Sequence, residues 1–212
     1  MKWPRVTKTT KPGTLPAGGY RAWKRILARE GQFRCIYCAI HEAAFGGYWN
    51  FHVEHYKPKS RFRDLKDAFE NLFYACAVCN VFKSNDWPGE CRPDLSTCAY
   101  ANPIDHDFNT LFTLLDDGSV RGETKTSEYM VLRLNLNRPQ LIMERRIHLL
   151  RHRRAMCERA LKSVEHELEN VPDRDIQRAL AELVKVISKL TGLESDLQQT
   201  RPYSEDQTKA AN

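Results

Sequence analysis

The spacing of apolar positions changes several times along the 212-residue chain. Trp23, Ile26 and Leu27 recur at helical spacing between Tyr20 and Glu30, and Gly31 follows. A short amphipathic helix ending at that glycine is predicted. Phe51 to Tyr56 alternates as a strand does, and Pro58 stops it. Arg61 to Phe69 is charged and expected to be partly helical. Phe108 to Leu115, then Asp116-Asp117-Gly118-Ser119 and Val120, predict a hairpin. Ser127 to Leu134 fits a strand or a helical turn. Asn137-Arg138-Pro139 opens a long helix to about Leu168, with proline near its start as helices prefer. Ile142, Leu149 and Met156 mark the side of it that packs. Pro172-Asp173 breaks the chain, and Asp173 or Asp175 caps a last helix to about Leu197. Leu180, Leu183, Val184, Ile187 and Leu190 are its apolar stripe.

Composition narrows the class. Hydrophobic residues make up 42% and charged residues 28%, which describes a soluble folded protein and not a fibre or a disordered chain. Apolar runs are far too short for a membrane span. Residues 1–20 are basic without an apolar segment, so no secretory signal is read there and a cytosolic protein is expected. The net charge of +6 suits a polyanion partner where the basic residues cluster. Lys2, Arg5, Lys8 and Lys11 lie among Pro4, Pro12 and Pro16, which predicts an extended arm. A mobile terminus is preferred here over an arm that tracks nucleic acid. Residues 201–212 read as a disordered tail.

Four of the seven cysteines fall in two CxxC pairs, Cys35/Cys38 and Cys76/Cys79, 37 residues apart. Each pair is a tight turn that aims two thiolates at one metal, and zinc prefers four such ligands in a tetrahedron. Four thiolates leave no open position, so this zinc is expected to be structural. Cys91, Cys98 and Cys157 have no matching pair and read as ordinary thiols.

Between the pairs lies Phe51-His52-Val53-Glu54-His55-Tyr56-Lys57-Pro58-Lys59-Ser60. Glu54 can ligate a hard cation such as Mg²⁺ or Mn²⁺, which takes oxygen ligands. A histidine can be neutral near physiological pH, so His55 can serve as base for a water. Asn80 can be the second protein ligand or a helix cap. Asn71 can hold the imidazole or its loop in place. His52 can add a ligand but reads better as packing or as a donor to a ligand. His41 and His106 read as surface residues.

The set Val53-Glu54-His55-Tyr56-Lys57-Pro58, Asn71-Leu72 and Cys76-Ala77-Val78-Cys79-Asn80-Val81-Phe82-Lys83 resembles the HNH (ββα-metal) endonucleases. The resemblance spans Cys35 to about Pro88. It implies that His55 is the general base and Asn71 the central asparagine of the motif. It also implies that Glu54 stands where the family often has Asp or His, and Asn80 at the final H position. The rest of the chain resembles the HNH proteins of ATPase-linked anti-phage systems, the Septu and retron-associated kind. The basic N-terminal arm, Asn102-Pro103, Leu134-Asn135-Leu136-Asn137, Leu141 and Arg145-Arg146 carry that second likeness. It implies an ATPase partner and phage or plasmid DNA as substrate.

The expected fold is α+β. A basic arm and short helix (1–30) precede a zinc-stapled ββα core (31–90). A turn-rich connection (91–135), C-terminal helices (136–200) and the tail (201–212) follow. Lys57, Lys59, Arg61 and Lys83 are read as phosphate contacts beside the site. Between Arg138 and Lys162 eight basic residues face only Glu144 and Glu158, and Arg151, Arg153 and Arg154 are candidates for a phosphate-tracking face. The expected function is divalent-metal-dependent hydrolysis of DNA. The competing class is a zinc-stapled nucleic-acid or protein adaptor whose site is degenerate.

Overall fold

Two five-residue strands form the central sheet of the first of two units. β1 (Phe51–His55) pairs antiparallel with β2 (Leu72–Cys76), in the register Phe51↔Cys76, Val53↔Tyr74 and His55↔Leu72. The structure, a computed structural model, describes residues 2–8, 17–168 and 176–199. The chain divides into one unit of residues 1–115 and 119–141 and a second of residues 116–118 and 142–212.

The first unit holds the α+β core. Every residue of β2 is buried, so its side chains do not alternate between apolar and polar. A strand covered on both faces reads as a continuous apolar run, and periodicity alone gave no sign of it. Helix α1 (Lys24–Glu30) lies against β2 and buries Leu27 and Ala28. The Cys35–Cys38 turn docks at the strand edge, where Ile36 donates its N–H to the Tyr74 carbonyl at 2.9 Å. At the end of β2 the Cys76 sulfur accepts the Cys79 N–H at 3.4 Å and caps α2 (Ala77–Lys83). The second cysteine pair therefore straddles the junction of strand and helix, and Asn80 sits inside the helix and not at its cap.

Beyond the core, α3 (Phe108–Leu111) leads into the hairpin of β3 (Phe112–Leu114) and β4 (Val120–Gly122). Residues 127–133 belong to a helix, α4 (Lys125–Arg133), and Leu134 is its C-cap. The choice is made by a capping box: Thr124 Oγ1 accepts the Ser127 N–H at 3.2 Å, and Ser127 Oγ accepts the Thr124 N–H at 2.8 Å. Two backbone donors at the helix start are satisfied reciprocally.

In the second unit, α5 continues (Pro139–Leu168, its first residues lying in the first unit) and α6 spans Ile176–Gln199. Arg145 is fully buried and donates to the Gly118 carbonyl at 3.4 Å. Gly118 has φ +86°, and a Cβ there would come within 2.4 Å of the Ile142 carbonyl, so only glycine fits. Leu180, Val184 and Ile187 of the α6 stripe are exposed. The tail and the caps at Asp173 or Asp175 lie outside the described residues.

One expectation for the N-terminus is corrected. Residues 2–8 are not a loose end. Trp3 is 6% exposed, stacks on Phe112 at 5.1 Å and donates its indole N–H to the Tyr37 carbonyl at 2.9 Å. Val6 is buried, and the Lys8 ammonium donates to the Leu72 carbonyl between the rings of Phe69 and Phe73. Trp3→Ala is therefore expected to lower unfolding free energy by about 3–5 kcal/mol, the usual cost of emptying a buried aromatic site. Chemical denaturation checks this, and an unchanged midpoint would show the arm to be undocked.

Candidate functional site

The site starts from four buried sulfurs. Cys35, Cys38, Cys76 and Cys79 bring their Sγ atoms within 4.8 Å of one another. Cys38 and Cys76 Sγ lie 3.8 Å apart, far outside disulfide range. A zinc tetrahedron with metal–sulfur bonds of about 2.3 Å has edges of about 3.8 Å. The four cysteines thus form a metal-binding cluster whose dimensions fit zinc.

Four thiolates on one divalent ion leave a net negative charge in the interior, which is costly without a partner. Arg138 supplies one. Its Nη2 lies 3.8 Å from Cys38 Sγ, 3.8 Å from Cys76 Sγ and 3.6 Å from Cys79 Sγ, over the face opposite Cys35. Its Nη1 donates to the carbonyls of Leu134 and Asn135, both at 3.3 Å. The guanidinium links the segment before α5 to the cluster. In the sequence it is one arginine in a basic run, and nothing local separates it from the surface ones.

Beside β1 lies a cleft of about 560 Å³, lined among others by Tyr20, Lys24, His52, Glu54, His55 and Asn80. The His55 ring is fixed by its neighbours. Its Nε2 lies 2.9 Å from the Lys66 carbonyl. A carbonyl only accepts, so Nε2 carries a proton, and in the neutral ring the lone pair is at Nδ1. The Tyr20 ring packs edge-on against the imidazole at 4.6 Å. Burial, with Lys59 and Lys83 nearby, holds the His55 pKa below its ordinary value.

Asn71 acts one step away. Its buried side chain accepts the Lys57 N–H at 2.7 Å and donates to the carbonyls of Lys57 at 3.0 Å and Leu65 at 3.2 Å. It closes the 57–66 loop and so positions the Lys66 carbonyl that holds His55. Of the two roles open to it, Asn71 holds the loop and not the ring.

Glu54 and Lys83 form a buried pair. Lys83 Nζ lies 2.9 Å from Glu54 Oε1 and donates to the His55 carbonyl at 2.9 Å. Tyr37 donates its hydroxyl to the same Oε1 at 3.3 Å. Burial pushes the Glu54 carboxyl up, and the Lys83 ammonium and Tyr37 hydroxyl pull it back. This corrects the reading of Lys83 as a phosphate contact. Its side chain is fully buried and neutralises Glu54, since no carboxylate stays in an apolar interior unpaired.

The other basic residues are dispersed. Lys59 is exposed, lines the cleft and donates to the Tyr20 hydroxyl at 2.9 Å. Burial alone would raise the Tyr20 phenol, but the bonded ammonium brings it below its ordinary value. Lys57 pairs with Glu90 at 2.7 Å, and Arg61 donates to the Trp87 carbonyl at 2.7 Å. In the second unit Arg151 is exposed, Arg153 pairs with Asp116 at 2.6 Å and Arg154 with Glu158 at 2.8 Å. The cleft wall also holds Tyr20, Arg21 and Lys24 from the segment around α1. Motif reading missed these three because they lie far upstream of it. His52 is exposed and lines the cleft.

A four-cysteine cluster able to hold a metal, a strand pair ending in a held histidine and a short helix carrying Asn80 define a small ββα unit. Residues 35–86, about a quarter of the chain, match the family model of the HNH endonucleases. That match supports a nuclease-type function in general terms. No curated protein and no solved structure matches the chain significantly. The likeness to anti-phage HNH proteins gains no support from these comparisons.

Arg138 gives the test of the cluster. Purified protein is expected to hold one zinc. Arg138→Gln is expected to release it to a chromogenic chelator about 10-fold faster or more, since hydrogen bonds to charged groups contribute about 1.5–3 kcal/mol. Arg138→Lys, which keeps the charge without the fork, falls between. Equal release rates in all three, with parental circular dichroism, would remove Arg138 from the cluster's energetics.

Proposed function

We propose that this chain is a divalent-metal-dependent endonuclease that hydrolyses DNA. The observation that carries the reading is the His55 ring, held with Nδ1 unprotonated in a basic cleft beside Glu54 and Asn80. In that role His55 Nδ1 takes the proton of a water. The water oxygen bonds to phosphorus, and the bond to the 3′ oxygen on the opposite side breaks. Asn71 keeps the ring in place through the Lys66 carbonyl. Lys59, Lys24 and Arg21 are the cleft's cations for flanking phosphates.

Glu54 and Asn80 are the residues that would hold Mg²⁺ or Mn²⁺. Such an ion, when bound, supplies positive charge to the scissile phosphate and the leaving oxygen. Their oxygen donors fit, because Mg²⁺ is usually held by one or two carboxylates together with waters and substrate phosphate. Glu54 is already neutralised by Lys83. Cation affinity in the free protein is therefore expected to be weak and to rise when the phosphate arrives. Zinc in the cysteine cluster has a structural role, since all four positions are filled by protein.

The effector role in anti-phage defence, with an ATPase partner and phage or plasmid DNA, is a proposal resting on the sequence likeness of the segment from Asn102 to Arg146. One observation favours the adaptor reading: Lys83 occupies the carboxylate that a cation needs.

Plasmid cleavage separates the two. The parent is expected to cut with Mg²⁺ or Mn²⁺. His55→Ala keeps zinc and DNA binding but loses about 10²–10⁴-fold in rate, the usual contribution of a positioned base. Glu54→Gln, which keeps a hydrogen-bond partner for the buried Lys83, also loses activity, and excess Mn²⁺ restores part of it but restores none to His55→Ala. The working base is the neutral ring, so a depressed pKa moves the rising limb of activity below the ordinary histidine midpoint of about 6.5. A zinc-loaded parent that binds DNA yet never cuts it establishes the adaptor.

A further inference from the structure

The chain has four tryptophans, and three are buried: Trp3 at 6% exposure, Trp23 at 5% and Trp87 at 8%. Trp49 is 84% exposed. It is not on a loose loop. Gly46 and Gly47 both take φ +73°, and the short turn of Tyr48–Asn50 leads directly into β1. Lys24 fastens that turn, donating to the Tyr48 carbonyl at 2.8 Å while its ammonium lies 3.9 Å from the Tyr48 ring centre.

Trp49 is also the outer end of an aromatic stack. Phe51, which lines the cleft, stacks on Tyr74 at 4.7 Å. Tyr74 stacks on Tyr48 at 6.4 Å, and Tyr48 meets Trp49 edge-on at 5.9 Å. The inner end of this series is cleft wall and the outer end is an open indole. Lys24 belongs to both, as a cleft-lining cation and as the clamp on Tyr48. A polyanionic strand leaving the cleft over Lys24 would pass the turn that Lys24 clamps and that carries this exposed indole. Nucleobases stack on such faces whatever their sequence.

We propose that Trp49 is a stacking platform for an unpaired base of the nucleic-acid strand that occupies the cleft. The proposal rests on the nuclease reading of that cleft. It adds a second contact of a different kind, since the lysines hold phosphates and the indole holds a base. It also assigns a preference for single-stranded or frayed substrate, because a paired base is already stacked within its helix.

The protein reports on itself here. With three tryptophans buried, quenching of intrinsic fluorescence by an added strand isolates Trp49. The experiment uses zinc-loaded protein without added Mg²⁺ or Mn²⁺, so that cleavage is idle. A labelled oligothymidylate is titrated in, and binding is followed by the anisotropy of its label. Tryptophan emission is expected to fall in step with binding. In Trp49→Ala the quench disappears and binding weakens roughly 5- to 100-fold, as loss of one base–aromatic stack implies. Trp49→Phe keeps most of the affinity. Binding by anisotropy with no change in emission and parental affinity in Trp49→Ala overturns the platform and leaves the cleft reading intact. Absence of binding to both this strand and a duplex overturns the cleft reading and the platform with it.

Discussion

The cysteine cluster is the constraint on which the rest depends. Two strands of five residues do not make a stable sheet alone. Their connection, residues 56–71, is long and polar. The cluster ties the turn at Cys35–Cys38 to the point where β2 becomes α2, and so sets where α2 leaves the sheet. Lys83 and Asn80 ride on that helix. Arg138 draws a distant segment onto the same four sulfurs and offsets their charge. Small cores commonly need such a staple in place of apolar area.

A second layer of constraint lies along β1. Lys83 is buried between Glu54 and the His55 carbonyl, so one ammonium fixes a carboxylate and the backbone beside the imidazole. Removing either member of that pair would leave a buried charge without a partner, which is far costlier than losing a surface ion pair. Asn71 holds the neighbouring loop, and the Lys66 carbonyl holds the ring. The position and tautomer of His55 thus follow largely from groups outside the cleft lining, with Tyr20 and Lys59 acting on it from the cleft wall. These contacts are made by the folded chain itself.

Much of this was legible in the sequence because the motif residues lie close together in it. The CxxC pairs have a spacing with few other uses, and Glu54-His55 ahead of Pro58 marks a strand end. What failed did so for physical reasons. Lys83 reads as a surface cation because nothing in the local pattern says that α2 turns it inward onto Glu54. Arg138 and Arg145 sit in a basic run, yet both are internal, one over sulfurs and one on the Gly118 carbonyl. The β2 strand has no alternation because both its faces are covered. The N-terminal arm looks like a free end by charge and proline content, but Trp3 and Val6 outweigh those signals by burial. Tyr20 and Lys24 reach the cleft through tertiary packing alone.

The central claim is that the fold presets His55 as a base. The most direct test is nitrogen NMR of ¹⁵N-histidine-labelled protein without added Mg²⁺ or Mn²⁺, with the His55 ring assigned by its loss in His55→Gln. The account predicts a neutral ring protonated at Nε2 and bare at Nδ1, titrating below the ordinary histidine value. A ring protonated at Nδ1, or one still doubly protonated at neutral pH, would contradict it.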